Sequence, residues 1–202
     1  LRIGTTLSST ATDGGIPVHC RQGVWDSACG PHCVAMALAI LGDIAEPTEL
    51  GEHGHGVGAR LWKAAKSTYF GGTSGAELAR MIASLQTRHT VAHVQGSHRR
   101  CMAFTHTQVA VGRLVIASWW HRPQHEHHWV LIVGSEGLQT ASTFTPHALL
   151  TLDPGGDGPL LCGYNGRLEF APRRGRRSPG PVRYLTLDGA ERKVQFTSAL
   201  AL

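Results

Sequence analysis

Four side chains of this 202-residue chain have the types that acyl-transfer chemistry needs: Gln22, Cys29, His128 and Asp153. A cysteine thiolate can attack a carbonyl carbon, and an imidazole can take the thiol proton and later give it to a leaving amine. A carboxylate can orient that imidazole, and an amide N–H group can stabilise the oxyanion that forms. The order of these residues predicts Cys29 as nucleophile, His128 as base, Asp153 as the orienting acid and Gln22 as an oxyanion donor.

The candidate nucleophile stands at the start of the clearest helix of the sequence, predicted over residues 29–42. Asp26 and Ser27 are capping candidates, and the body of the helix is almost wholly apolar, which predicts that it is buried. The first turn presents unpaired N–H groups and the positive end of the helix dipole, which stabilise a thiolate at Cys29. Gly30 is expected to leave the approach to the sulfur open. A cysteine at a helix end is also a common packing residue, so this feature alone leaves both interpretations open.

The other two triad candidates lie in a second half of the chain that alternates as strands do. His128 begins one such run and Asp153 ends the next. The strand-like runs are residues 113–119, 128–134, 148–153, 182–187 and 192–196, the last two forming a hairpin that turns at Asp188-Gly189. Further helices are predicted at 59–68 and 74–86, the second with a capping box from Ser74 to Glu77, whereas 101–110 fits either a helix or a strand. Helices followed by antiparallel strands predict an α+β domain with two lobes and a cleft between them.

A group of histidines surrounds the candidate base. His121, His125 and His127 lie within eight residues of one another and His128, but their spacing mixes both faces of a strand and no cysteine pair is near. No metal site and no cofactor is therefore predicted. His127 is the rival of His128 for the role of base. The alternation that buries Val130 and Ile132 favours His128, which shares their face.

Composition bounds the function further. The 42% hydrophobic content suits one folded domain, and the absence of a run of about 18 apolar residues excludes a membrane-spanning helix. Five cysteines at irregular spacing do not indicate a disulfide framework, so at least one thiol is expected to be free. The net charge is +5, and the basic residues cluster densely in only one segment, the arginine-rich stretch at 171–177, which has the composition of a solvated loop. Nucleic acid is therefore not predicted as a partner.

The candidate residues also resemble a known family. The pattern Gln22, Asp26-Ser-Ala-Cys29-Gly-x-x-Cys33, His128-Trp-Val and Asp153-Pro154 is similar to that of the papain-like bacterial peptidases that cleave double-glycine leader peptides. The similarity spans residues 22–154, and the segment 160–202 has no counterpart. Gln22 stands one residue further from the cysteine than is usual in that family, a difference that a bulge near Trp25 would absorb.

The resemblance implies a papain-like fold, in which a helical lobe with the buried nucleophile helix packs on an antiparallel sheet lobe. It also implies hydrolysis of a peptide bond after Gly-Gly or another small residue, by a Cys29 thiolate and a His128 imidazolium, without a cofactor. Cys33 would then be a core residue of the helix. Aromatic walls exclude bulky side chains in such peptidases, and Trp25, Trp119, Trp120 and Trp129 are the candidates here, of which one or two are expected to line the cleft.

These inferences combine into one expected domain: an extended lead-in at 1–21, a catalytic core at 22–154, and a basic loop with a C-terminal hairpin at 155–202. The expected partners are a peptide or protein with a glycine-rich cleavage site and an inhibitor or immunity protein. Neither a transporter segment nor a signal peptide is visible in the sequence. We therefore expect a bacterial protein, cytoplasmic or secreted, either a free maturation protease or, as the missing initiator Met favours, a domain excised from a delivered toxin. Two alternatives remain: an acyl transferase (a transpeptidase or deamidase) with the same triad, and a non-catalytic module that binds peptides.

Overall fold

Eight strands and four helices make up the fold of the computed structural model. It describes residues 2–7, 15, 17–47, 50–51, 55–159, 162–170 and 180–202. The strands are β1 (Arg2–Leu7), β2 (Ala92–Gln95), β3 (Val115–His121), β4 (Glu126–Gln139), β5 (Phe144–Leu152), β6 (Gly166–Glu169), β7 (Val182–Thr186) and β8 (Glu191–Ala201). The helices are α1 (Cys29–Ile40), α2 (Gly56–Ala65), α3 (Gly75–Ser84) and α4 (His98–Ala110). The arginine-rich stretch at 171–177 lies outside the described residues.

Six antiparallel strands close into a barrel in the order β3, β8, β7, β6, β5, β4 and back to β3. The length of β4 allows this closure, because one edge pairs with β3 over residues 126–132 and with β1 over 134–139 while the other edge pairs with β5. A bulge shifts the register between Glu136 and Gly137. A Cβ at Gly137 would lie 2.4 Å from the Thr145 carbonyl oxygen, so β4 and β5 can approach this closely only because that residue is glycine.

The predicted papain-like architecture, a helical lobe packed on an antiparallel sheet lobe, is wrong. Helices pack instead on the outer wall of a closed barrel. The difference arises at β6, a strand of four residues, Gly166–Glu169, which pairs with β5 on one side and β7 on the other. A segment this short shows no recognisable alternation, so its strand was not predicted from the sequence and the closure of the sheet could not be inferred.

The central part of β4 buries both of its faces. Along β4, Val130 and Ile132 belong to the cluster that fills the barrel, to which all six strands contribute. The alternate residues, Trp129 and Leu131, belong to a second cluster, shared with α1, α2 and α3, on the outer wall. Because successive side chains of a strand point to opposite faces, His128 faces the same way as Val130 and Ile132, at the end of the barrel interior.

The local signal at the start of α3 agrees with the structure. The capping box that was predicted from Ser74 to Glu77 is present at the start of α3. The ambiguous stretch 101–110 is helical and forms most of α4, which begins after Ser97, whose side chain accepts a hydrogen bond from the backbone of Arg100. Among the helices in the described part of the chain, none combines the length and hydropathy needed to cross a lipid bilayer.

Candidate active site

The candidate base and its acid meet at one end of the barrel. β4 pairs with β5 so that Leu131 lies opposite Leu152. This register places His128, near the start of β4, close to Asp153, which directly follows the end of β5. Nε2 of His128 lies 2.6 Å from Oδ1 of Asp153, and the side chains are 12% and 7% exposed. Because Nε2 is engaged by the carboxylate, Nδ1 is the ring nitrogen that is left for another partner.

That partner is the candidate nucleophile. Cys29 is the first residue of α1 and is 9% exposed, and its thiol is close enough to the imidazole of His128 to help raise the pKa of that ring. Neither Asp26 nor Ser27 caps the helix as predicted: the N-cap is Ala28, without a side-chain hydrogen bond. The structure thus brings together the thiol, the imidazole and the carboxylate in the order that nucleophilic catalysis requires, beside the first turn of a helix.

The surroundings of His128 favour its protonated, imidazolium form. Burial lowers the pKa of His128, but the Asp153 carboxylate and Cys29 outweigh it, so that the pKa is raised to about 10. Burial raises the pKa of Asp153, but His128, Tyr184 and the Gly155 N–H group outweigh it, and the pKa is lowered. At neutral pH the two side chains therefore form a buried ion pair.

Several residues that hold Asp153 escaped the sequence analysis. The Tyr184 hydroxyl donates to Oδ2, and the Gly155 N–H group donates to Oδ1 at 2.7 Å. The Asn165 side chain accepts from the Asp153 N–H group at 2.6 Å and donates to its carbonyl oxygen at 2.8 Å, while His19 Nε2 lies 2.9 Å from the same oxygen. Tyr184 and Gly155 orient the carboxylate, whereas Asn165 and His19 hold the backbone of Asp153, and these partners come from segments that only the tertiary structure brings together.

Two of the tryptophans predicted as substrate walls are buried. Trp119 is 1% exposed and packs between His128 and Tyr184, with ring centroids 5.2 and 5.3 Å away. Trp129 is 5% exposed, and its indole N–H group donates to the Thr73 carbonyl oxygen at 3.0 Å. Trp129 packs inside the protein, whereas Trp119, although buried, lines the cavity that opens beside His128 and Asp153.

Trp25 differs from these two rings because it is 89% exposed, in the loop that precedes Cys29. Trp120 lies away from the site and stacks on His127 at 5.9 Å, with an angle of 11° between the rings. His127 is exposed and His128 is the residue that meets Asp153. Across the described ranges, no three His, Cys, Asp or Glu side chains are arranged as metal ligands would be.

Gly30 has a packing role that the prediction of an open approach to the sulfur missed. The residue is buried, and a Cβ would lie 2.5 Å from Oγ1 of Thr73 and 3.3 Å from Cδ1 of Leu78. Glycine at this position therefore lets the first turn of α1 pack against the segment that leads into α3.

Replacing Gly30 by alanine is expected to destabilise the fold by about 1–3 kcal/mol, because the added methyl group overpacks the contact with Thr73. Gly71→Ala is the matched control, since a Cβ there would meet nothing within 4 Å. Denaturant unfolding of both variants measures the difference. Equal midpoints for the two variants would contradict this account of Gly30.

The predicted oxyanion donor lies next to the triad acid. The Gln22 backbone N–H group donates to the Pro154 carbonyl oxygen at 2.8 Å, which ties the loop before α1 to the turn after β5. Nε2 of Gln22 donates to the Asp26 carbonyl oxygen at 3.4 Å. A side-chain amide carries two N–H donors, so one of them remains for a ligand.

The other buried thiols are unsuited to be nucleophiles. Burial, followed by the charge of Asp26, raises the pKa of Cys20 to about 11. Burial raises the pKa of Cys33 well above its usual value, and it also raises that of Cys101. A thiol that stays protonated does not react readily. Cys29 and the exposed Cys162 are the two that remain.

A polar cavity of about 240 Å³ opens beside His128 and Asp153. Its rim carries the ion pair of Arg21 with Asp157 and the contact of Arg192 with Glu126 at 3.5 Å. The imidazole of a thiol hydrolase must meet both the leaving amine and the attacking water. This cavity reaches the site from the side of the carboxylate, and neither Cys29 nor Gln22 lines it.

Comparison with known proteins adds no family to this description. The chain matches no protein-family model, and no curated protein is detectably similar to it. The case for a function therefore rests on the geometry of the site.

Proposed function

We propose that this protein is a cysteine peptidase that hydrolyses a peptide bond through Cys29, His128 and Asp153. The observation that carries the proposal is the buried imidazole of His128, whose Nε2 lies 2.6 Å from the Asp153 carboxylate and whose pKa is raised by both Asp153 and Cys29. A buried histidine between a thiol and a carboxylate is costly to desolvate. It is the arrangement that nucleophilic catalysis by a thiol needs.

The reaction follows from these contacts. The Cys29 sulfur attacks the carbonyl carbon of the scissile bond, and the carbonyl electrons move to the oxygen. When the tetrahedral species collapses, the C–N bond breaks and the His128 imidazolium donates its proton to the leaving amine. Water then attacks the thioester while His128 takes a proton from that water, the C–S bond breaks, and release of the acid product restores the Cys29 thiolate and the His128 imidazolium. Asp153 keeps the ring oriented and stabilises its charge throughout.

Two N–H groups are suited to hold the oxyanion. The Cys29 backbone N–H group lies in the first turn of α1, where backbone donors lack partners within the helix. The second amide hydrogen of Gln22, whose loop is tied to Pro154, is the other candidate. Together they form a two-donor oxyanion site of the kind that acyl-transfer enzymes use.

A preference for glycine or another small residue at the cleavage site is part of the proposal. Only 9% of Cys29 is exposed, so the sulfur can reach a carbonyl carbon only when the neighbouring side chain is small. The exposed Trp25 ring stands in the loop just before it and offers a surface for the substrate chain. Both features agree with the Gly-Gly specificity that the sequence resemblance implies.

Selective alkylation tests the identity of the nucleophile. At pH 6 iodoacetamide is expected to modify Cys29 faster than the exposed Cys162, because pairing with His128 keeps the Cys29 sulfur reactive at this pH. Peptide mapping by mass spectrometry gives both rates, and Cys162→Ser removes the competing thiol. Preferential labelling of Cys162, as exposure alone would dictate, would count against the proposal.

Product analysis separates hydrolysis from acyl transfer. A peptide with an internal Gly-Gly site is incubated with the protein and an added amine, and its products are identified by mass. Cleavage with a free carboxylate at the new end supports the peptidase. Products that carry the added amine would show that the same triad serves a transferase, and a peptide that stays intact would contradict both.

A further inference from the structure

A buried carboxylate outside the triad organises the loop between Gln22 and Cys29. The Asp26 side chain is 1% exposed. Oδ2 accepts a hydrogen bond from the Gly23 N–H group at 2.5 Å, and Oδ1 accepts one from the Ala28 N–H group at 3.1 Å. The two oxygens of this carboxylate thus connect the residue after Gln22 to the residue before Cys29.

The groups around this carboxylate leave it without a bound cation. Burial and the nearby Asp26 carboxylate raise the pKa of Tyr69, and the backbone carbonyl oxygen of Tyr69 accepts from the Ser27 N–H group at 2.7 Å. Nε2 of His32 is 4.0 Å from Oδ2, beyond hydrogen-bonding distance, and its Nδ1 lies 3.0 Å from the Cys20 sulfur. Burial lowers the pKa of His32 despite the nearby carboxylate, so the ring is neutral at pH 7. The hydrogen bonds that stabilise the Asp26 carboxylate therefore come from backbone N–H groups.

Burying a carboxylate costs free energy, and a loop near the surface could satisfy two backbone N–H groups at a lower free-energy cost. We infer that Asp26 is a positioning residue that sets the two oxyanion donors of the proposed peptidase, the Gln22 side chain and the Cys29 backbone N–H group. This inference rests on the proposed function and adds to it a residue that does not touch the reacting atoms.

The contacts explain how one carboxylate acts on both donors. On the Cys29 side, Ala28 is held by its N–H group on Asp26 and by its carbonyl oxygen, which accepts from the His32 N–H group at 3.0 Å. The peptide group that carries the Cys29 N–H is therefore fixed in direction. On the other side, Nε2 of Gln22 donates to the Asp26 carbonyl oxygen, so the amide moves with the residue that the carboxylate holds.

Two reactions of the same sulfur separate positioning of the donors from a general structural role. Hydrolysis of a peptide passes through an oxyanion, whereas alkylation by iodoacetamide is a displacement at a methylene carbon that forms no oxyanion. Asp26→Asn keeps the side-chain volume but turns one acceptor into a donor that faces an N–H group. We expect kcat/KM for a Gly-Gly peptide to fall about 10- to 100-fold in this variant, while the alkylation rate of Cys29 stays within about twofold.

A second variant reaches the same contact without changing the carboxylate. A Cβ at Gly23 would lie 2.9 Å from Oδ2 of Asp26, so Gly23→Ala must displace the carboxylate from an exposed loop position. We expect the same separation of the two rates with a smaller loss of hydrolysis. Asp43→Asn is the matched control at the other end of α1, where Asp43 contacts His89 at 2.9 Å, and both of its rates should equal those of the unmodified protein.

The outcomes are distinct. A parallel loss of hydrolysis and alkylation in Asp26→Asn and Gly23→Ala would show that the loop only supports the fold around the thiol, and unchanged hydrolysis would show that it has no role in catalysis. Either result overturns the inference while leaving the proposed function intact. An unmodified protein that fails to hydrolyse any Gly-Gly peptide but still alkylates Cys29 overturns the proposed function, and this inference with it.

Discussion

Replacing Cys29 by alanine is expected to lower kcat/KM for a Gly-Gly peptide by about 10⁴-fold or more, because removing the nucleophile of a triad removes nearly all of its catalysis. No rescue is expected from the neighbouring thiols, since Cys20 and Cys33 are buried and burial raises the pKa of each. The measurement is the initial rate of cleavage, followed by chromatography, at the same enzyme concentration as the unmodified protein.

Cys33→Ser is the matched control for this experiment, because Cys33 lies one helical turn along the same helix and is fully buried. Its hydroxyl would be buried among apolar neighbours, which costs about 1–3 kcal/mol of stability, yet the rate should stay near that of the unmodified protein. If Cys33→Ser lost activity while Cys29→Ala kept it, Cys33 would be the nucleophile and the proposed mechanism would be refuted.

Asp153→Asn is expected to reduce kcat/KM by about 10³- to 10⁴-fold, because the amide cannot stabilise the imidazolium and favours the wrong ring tautomer. It should also change the pH profile. With Asp153 present the pKa of His128 is raised to about 10, so the imidazolium persists and the rate declines only as the pH rises through about 10. Without the carboxylate, burial, which lowers the pKa of His128, is no longer outweighed by Asp153, and the alkaline decline should move to lower pH.

The profile of kcat/KM between pH 5 and 10.5 measures both the loss of rate and the shift of the alkaline decline. The pKa values that it reports are those of the free enzyme. Asp43→Asn, which alters a histidine–aspartate contact of 2.9 Å remote from the site, should leave the profile unchanged. His128→Ala should be as inactive as Cys29→Ala and show no alkaline limb. If the limb of the unmodified protein lay near pH 6.5, the value for an isolated histidine, the pairing with Asp153 would not exist in solution.

The helices and most strands could be predicted because their signals are local. The apolar helix that begins at Cys29, the capping box at Ser74 and the alternating runs that became β3, β4 and β5 all lie within short windows of sequence. The architecture could not be predicted in the same way. It depends on β6, a strand of four residues, and on the bulge at Gly137, whose meaning appears only when β5 lies beside β4. The expected two-lobed fold was wrong for that reason.

The residues of the candidate site also fall into two groups, those with a local sequence signal and those without one. Residue type and local context were enough to single out Cys29 at a helix start, His128 on the buried face of a strand and Asp153 at a strand end. The partners that orient the acid, Tyr184 and Asn165, come from other segments and carry no local signal. Asp26 was read as a helix cap, and only its two backbone contacts give it another role.

By itself the sequence determined which side chains could do thiol chemistry and which elements carry them, because propensity, capping and alternation act between residues a few positions apart. The tertiary structure alone decided that the thiol, imidazole and carboxylate meet, that Trp119 and Trp129 are buried, and that Gly30 serves packing. Those outcomes depend on strand register, barrel closure and helix packing, which join residues far apart in the sequence. Such long-range contacts depend on all the strand pairings of the sheet together, and no short window of sequence contains that information.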